Sequence, residues 1–337
     1  MDPGRATLPP SVPVTDQLTS RTLGPADLDD VLALLLASDL AVVGFKDFTD
    51  DEIATALARD DVEHRGWYAG QGTLVGYAWV ERIEDTEKVE VDVYVHPEHD
   101  AGLGHALVDW LVDRGSTLSA AAGHAEVLLD LGVYRQDART RGWLEPVGFA
   151  VGTTFTRMRI DFDKPVAPPV LGGGLVVRAT ADTDDDRRVA HRLAGVSFAE
   201  HYGHVDTTYE TFLRRLTERG EGWASVLLAE LDGEPVGVLV ATRQFEEEDE
   251  NAGYVRTLGV LPACRGRGIA KALLRTYFDE CQRAGRSAVL LHVDVANVTG
   301  ALRLYESVGM RPVLEIDAFT RRSPVRGGTR GRSHPPR

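Results

Sequence analysis

The chain has 337 residues, 43% of them hydrophobic and 26% charged, with a formal net charge of −15. That much apolar material excludes a disordered polyanion and predicts about two domains at roughly 100–200 residues each, while the acidic balance argues against a nucleic-acid partner. The sequence has no apolar run of membrane-spanning length, its opening "MDPGRATLPPSVPVTD" has no hydrophobic signal core, and its two cysteines, Cys264 and Cys281, are too few for a disulfide framework or a four-thiolate metal site. A cytoplasmic protein with both thiols reduced and no membrane partner is expected.

In chain order, residues 1–18 read as a disordered N-terminal tail and 19–160 as a first domain. That domain opens with a short strand near Ser20–Thr22 that leads into two helices. Its "GTLVGYAWVE" (Gly72–Glu81) parallels "GEPVGVLVAT" (Gly233–Thr242), which places Gly76 opposite Gly237 at an offset of 161. Downstream, "WLEPVGFAV" around Gly148 parallels "LYESVGMRP" around Gly309 at the same offset. Two separate segments agreeing on one offset identify a duplicated domain. The proline and glycine clusters of "DFDKPVAPPVLGGG", 161–174, form the linker.

The second domain, 175–320, repeats the plan. A strand at Leu175–Arg178 precedes helices at Val189–Phe198 and Tyr209–Leu216. The turn "LDGEP" joins β-rich runs at Ala224–Glu230 and Val236–Gln244, and a third run follows at Tyr254–Val260. Ile269, Leu273, Leu274, Tyr277, Phe278 and Cys281 then recur at helical spacing, as a face packed on a sheet does, with Gly285 as the left-handed cap. "AVLLHVDV" is the next strand and "GALRLYESVG" a shorter helix. Antiparallel hairpins followed by a β–α–β unit predict a mixed α/β fold, a largely antiparallel sheet flanked by helices in each half. Residues 321–337 hold six arginines and no acidic residue, and read as a basic disordered tail.

The stretch "LGVLPACRGRGIAKALL", Leu258–Leu274, carries the strongest functional signal. Amides at the start of a helix lack intrahelical partners, and the helix dipole adds positive charge there. Gly266 and Gly268 let the backbone wrap an anion, and Arg265 and Arg267 add charge and donors, so the turn suits a pyrophosphate. It is neither a lysine-containing P-loop nor a dinucleotide fingerprint.

Arg265-x-x-Gly268-x-Ala270 after a strand, with "NVTGALRLYESVGM" following the next strand, resembles the acyl-CoA-binding core of the GNAT acetyltransferase superfamily. Asn297, Leu304, Tyr305, Gly309 and Met310 match that family's later elements. The two halves are most similar to tandem GNAT proteins of actinobacterial type, a group that includes mycothiol synthase. The resemblance implies two GNAT domains, each with a splayed wedge between its fourth and fifth strands, and an acetyl-CoA-dependent N-acetyltransferase that needs no metal. It further implies that Leu258, Gly259, Val260, Arg265, Gly266, Arg267, Gly268, Ile269 and Ala270 hold the cofactor, with the Val260 N–H facing the thioester carbonyl. Tyr305 is then the general acid, or else a core residue, and Asn297 either contacts CoA or caps the next helix.

The general base is less plainly marked. Mycothiol synthase-like sequences place a glutamate where Tyr254 stands here, so the candidates are Tyr254, Glu250 in "FEEEDEN", and His292 or Asp294, which share a strand face. The first half carries "HPEHDAGLG" at the matching loop, with His99 at the place of Arg265, and Leu144 at the place of Tyr305. It is expected to be catalytically silent, whether or not it binds CoA. The acceptor is expected to be a small-molecule primary amine, cationic if the acidic run "EEEDE" attracts it, with His201, Tyr202 and His204 as candidate pocket residues. The alternatives are a CoA-sensing pseudoenzyme and mycothiol synthase itself. Monomer and homodimer both remain open, because two fused copies can substitute for a dimer.

Overall fold

The computed structural model describes residues 18–325, apart from 71, 84–85, 100, 170, 182, 200–207, 219–225, 248–249 and 296–299. The first half contains β1 (Thr19–Thr22), α1 (Leu28–Val42), α2 (Asp50–Leu57), β2 (Val62–Ala69), β3 (Thr73–Arg82), β4 (Lys88–Val95), α3 (Ala101–Ala121), β5 (Glu126–Tyr134), α4 (Ala138–Leu144) and β6 (Ala150–Asp161). The second half contains β7 (Leu175–Ala179), α5 (Asp184–Phe198), α6 (Tyr209–Glu218), β8 (Val226–Leu231), β9 (Glu234–Glu247) and β10 (Glu250–Val260). It ends with α7 (Ile269–Arg283), β11 (Ala288–Asp294), α8 (Ala301–Ser307) and β12 (Arg311–Pro324).

Local chemistry sets several of these boundaries. Helix α5 starts at Asp184, ahead of the apolar stripe that begins at Val189, because the Thr183 side chain accepts the Asp186 amide and three aspartates fill the first turn. Asp232 and Gly233, both at positive φ, make the tight β8–β9 turn. Gly285 at φ +76° ends α7, and the Arg286 amide returns to the Cys281 carbonyl as expected for a glycine-terminated helix.

The strands form one continuous sheet, in the order β1-β2-β3-β4-β5-β12-β6-β11-β10-β9-β8-β7. The mixed, largely antiparallel sheet expected in each half is present, and the two are joined edge to edge into one. The last strand of each half crosses over: β12 pairs antiparallel with β5, and β6 pairs antiparallel with β11. The two crossed strands also pair with each other, and Phe155 lies opposite Ile316, which is 161 residues further on. A residue paired with its own repeat equivalent marks a pseudo-twofold axis between β6 and β12.

The crossover also mixes the cores. Phe319 of β12, fully buried, packs with Leu107, Leu111, Leu129 and Trp143 in the first half. Met158 of β6, also fully buried, packs with Leu273, Phe278 and Leu291 in the second. β12 runs through Arg321 and Arg322 to Pro324, into the stretch expected to be disordered. Those arginines are held because Arg321 donates to the Val147 carbonyl, and Arg322 to Glu87 and Glu126.

Phe319→Ala should cost about 3–5 kcal/mol. Because the lost side chain belongs to one half and its pocket to the other, urea unfolding should remain a single transition with a lower midpoint. Two resolved transitions would contradict the shared core.

Candidate active site

β10 begins as a parallel partner of β11, but the pairing is confined to Ala252–Val255 against Ala288–Leu291. On its other side β10 follows β9 to Val260, with one extra residue, Arg256, between the pairs Val255–Ala241 and Thr257–Val240. This bulge bends β10 away from β11 and opens a wedge. Leu261 N–H is taken by the Val236 carbonyl of β9, so by strand alternation the Val260 N–H faces the open side.

A cleft of about 550 Å³ occupies the wedge. Of the residues singled out from sequence, Leu258, Gly259, Val260, Arg265, Gly266, Gly268, Ile269, Ala270, Tyr254, His292, Asp294 and Tyr305 line it. Gly268 is the N-cap of α7 at φ +80° and Gly266 lies at φ +77°, so the loop presents its backbone to the cleft at the mouth of the helix. Arg265 turns back on the wedge, its Nε donating to the Val260 carbonyl and Nη2 to the Ser197 carbonyl, each at 3.3 Å. Arg267 is exposed on the same loop and does not line the cleft. Asn297, His201, Tyr202, His204 and the side chain of Glu250 lie outside the described residues.

Tyr305 stands on α8 with 8% exposure, and burial, with the neighbouring Tyr254 adding to it, pushes its phenol up to about 12. It therefore keeps its proton at neutral pH. Tyr254 Oη lies 2.7 Å from His292 Nδ1, and His292 Nε2 lies 3.0 Å from Arg157 Nε. Burial, then the Arg157 charge, pushes His292 down to about 3, so the imidazole is neutral. Asp294 accepts from the Thr153 hydroxyl of β6.

Sequence inspection missed Ser197, Phe155 and Arg157. Ser197 of α5 lines the cleft, and its buried Oγ has no hydrogen-bond partner among the described residues. The helix approaches so closely that a Cβ on Gly259 would sit 2.7 Å from that oxygen, a contact only glycine permits. Phe155 and Arg157 reach the site from the crossed strand β6, and nothing in the local pattern marks them. Lys271 and Cys264 complete the rim.

The first half has the same splay, with β4 and β5 paired only over Lys88–Glu90, but its wedge is filled. Trp143, at 3% exposure, lies on the first turn of α3, so that a Cβ on Gly104 would fall 2.1 Å from its Cε2. Arg139, over the Trp143 ring at 5.1 Å, donates to the carbonyls of Val95, His96 and His99. Side chains thus cover the backbone that the equivalent loop of the second half leaves open.

Residues 189–310 match the model of the acetyltransferase (GNAT) family, all within the second half. The chain is 30% identical to a mycothiol acetyltransferase of Streptomyces avermitilis over 297 residues, which covers 86% of this chain and 90% of the relative. Among solved structures it resembles a GCN5-related N-acetyltransferase from Sphaerobacter thermophilus, with a TM-score of 0.79, 26% identity, and coverage of 96% and 98% of the two chains. A tandem GNAT protein from the clavulanic acid biosynthesis pathway shares the fold at a TM-score of 0.70 and 13% identity, over 91% of this chain and 98% of that one.

The low His292 value has a stability consequence. An unfolded histidine titrates near 6.5 and the folded ring near 3, so between these values the unfolded chain binds the extra proton and stability falls as pH drops. Asp39, pushed up to about 6 by burial, acts in the opposite sense but equally in both proteins of a comparison. His292→Gln should therefore lose less stability than wild type between pH 6.5 and 4 in urea melts. Parallel curves would place a different proton at this site.

Proposed function

This chain belongs to the GNAT acetyltransferase family and is an acetyl-CoA-dependent acyltransferase, and we propose that its second half transfers acetyl from acetyl-CoA to the primary amine of a small molecule. The observation that carries this reading is the wedge itself, opened by the Arg256 bulge, with an inward-facing Val260 N–H and the Tyr305 phenol on its lining. The residues present fit the cofactor. Two positive-φ glycines and a helix N-terminus suit a pyrophosphate, and Arg265 and Lys271 supply positive charge beside it. Acetyl-CoA, when bound, supplies an activated thioester.

Each residue then has a defined task. Tyr254, in its phenolate form, takes the proton that the acceptor ammonium must lose before its nitrogen can attack. The Val260 N–H donates to the carbonyl oxygen as negative charge develops there, a contribution of about 2.7–4 kcal/mol for such donors. As the new C–N bond forms and the C–S bond breaks, Tyr305 gives its proton to the leaving sulfur, and the proton shed by the new amide nitrogen makes good that loss. The raised pKa of Tyr305 keeps its proton in place at neutral pH, available to be donated as negative charge builds on the sulfur. The first half is catalytically silent in this reading, because Leu144 replaces the acid and Trp143 and Arg139 fill the wedge.

A second reading is favoured by the relatives named mycothiol acetyltransferase, which align along most of both chains at about 30% identity. In it the acceptor is the one those enzymes use. Tyr254 at the position of the glutamate separates this chain from the pattern. Accumulation of unacetylated thiol precursor in a deletion strain would support the reading, and normal acetylated thiol levels would exclude it.

Tyr305→Phe should lower kcat by about 10²-fold or more while leaving acetyl-CoA affinity within twofold in calorimetry. An unchanged kcat would remove Tyr305 from the mechanism. Titration of wild type with acetyl-CoA should give one site per chain, and two sites would show that the Trp143 wedge opens.

A further inference from the structure

We propose that Arg157, delivered by β6 from the catalytically silent first half, is a positioning residue for acetyl transfer in the second half: through His292 it fixes the hydrogen-bonding role of the Tyr254 phenol. The inference rests on Tyr254 as the base, a reading that the closing experiment tests separately.

The chain of contacts begins in the first half. Asp47, between α1 and α2, holds the Arg157 guanidinium through both carboxylate oxygens, with Nη2 2.7 Å from Oδ2. The same Oδ2 accepts the Tyr134 hydroxyl of β5 at 2.7 Å, and the Asp47 amide donates to Asp39 of α1 at 2.8 Å. The two side chains of the ion pair are only 6% and 4% exposed. A buried, bidentate pair whose Oδ2 also accepts a third donor has one geometry rather than many. Arg157 is thereby immobilised by the first half before it meets the second.

What it does there follows from donor and acceptor identities. A guanidinium only donates, so the Arg157 Nε–H obliges His292 Nε2 to be an acceptor. A neutral imidazole with a bare Nε2 carries its proton on Nδ1, and that N–H points at the Tyr254 oxygen 2.7 Å away. The Tyr254 oxygen thus receives a hydrogen bond whether it is phenol or phenolate, and the bond favours the phenolate. The imidazole cannot itself collect the substrate's proton, because one nitrogen is already protonated and the other is occupied. The proton leaving the acceptor nitrogen goes to the Tyr254 phenolate oxygen, and nothing needs to move within the His292–Arg157 pair.

Arg157 and His292 are direct cross-strand neighbours on β6 and β11, so the contact is built into the crossover register. Four groups surround the imidazole or its partner: Tyr254 from β10, Tyr305 from α8, Asp294 on the same strand, and Asp47 behind the guanidinium. The Arg157 Nε–H donated to Nε2 sets the tautomer of the ring.

The test uses the full-length enzyme. ¹⁵N NMR of wild-type His292 should show the Nδ1–H tautomer at neutral pH, and an Nε2–H or doubly protonated ring would overturn the proposal without any variant. The pair Asp47→Asn with Arg157→Gln removes both buried charges together and so avoids stranding one of them. This double variant should bind acetyl-CoA as wild type does, lose about tenfold or more in kcat, and gain a histidine ionisation on the acidic limb of its kcat–pH profile. Arg157→Lys, which keeps the charge but not the Nε–H, should not restore kcat. A folded double variant with wild-type kcat and pH profile, or full activity in Arg157→Lys, would refute the positioning role. Tyr254→Phe separates the underlying reading: if it retains wild-type kcat, Tyr254 is not the base, whereas a loss there without one in the Arg157 variants refutes only the inference made here.

Discussion

The exchange of β6 and β12 across the pseudo-twofold axis is the constraint on which the rest of the molecule depends. Strands β5 and β11 would each end a sheet with a row of unpaired backbone groups, which are costly to bury and prone to pair elsewhere when exposed. The exchange supplies each edge with the other half's last strand, and the two last strands satisfy each other along the axis. The cores follow from this. Phe319 and Met158 sit at the centres of hydrophobic clusters built mainly by residues of the opposite half. The halves are therefore not modules on a tether, although the proline-rich linker between them suggests it.

Within that frame, the difference between the two wedges is one of filling rather than of fold. Both arise because a parallel strand pair parts after a few residues. In the second half the bulge at Arg256 opens a cleft whose floor is polar backbone and whose wall carries Tyr305. In the first, an indole lies against Gly104 where Ala270 lines the open cleft, and Arg139 satisfies the nearby carbonyls that a ligand would otherwise meet. Trp143, where the second half has Leu304, and Arg139 together pack the surface that the second half leaves as a cleft.

Legibility in the sequence followed the range of the interaction. The stripe of α7, the glycine turn at 266–268 and the Gly285 cap depend on neighbours within a few residues, and each was readable from spacing. The internal offset revealed the duplication because it compares the chain with itself. Arg157 gave no such sign, since Asp47 and His292 are 110 and 135 residues away in sequence. The crossed strands were missed for the same reason: "GTTFTRMRID" and "EIDAFTRRSP" become strands through partners in the other half. The pairing of His292 with Asp294 on one face was legible, but not its meaning. Alternation put both on the right face, yet β6 decides what each bonds to, giving Arg157 to one and Thr153 to the other.

A half without its own general acid still contributes to the chemistry, and the geometry shows how. Phe155 on the cleft wall, Thr153 on Asp294 and Arg157 on His292 all lie on one strand of the first half. Side chains alternate along a strand, so residues 153, 155 and 157 share the face turned to the active cleft. Removing the first half would bare the β11 edge and withdraw all three contacts together. The catalytic silence proposed for it is compatible with a fixed role, because positioning requires rigidity rather than reactivity. A wedge filled by Trp143 has less freedom to move than one shaped to admit and release a cofactor. The closed half is in that sense the better anchor for Asp47, which through Arg157 is tied to His292 in the cleft of the second half.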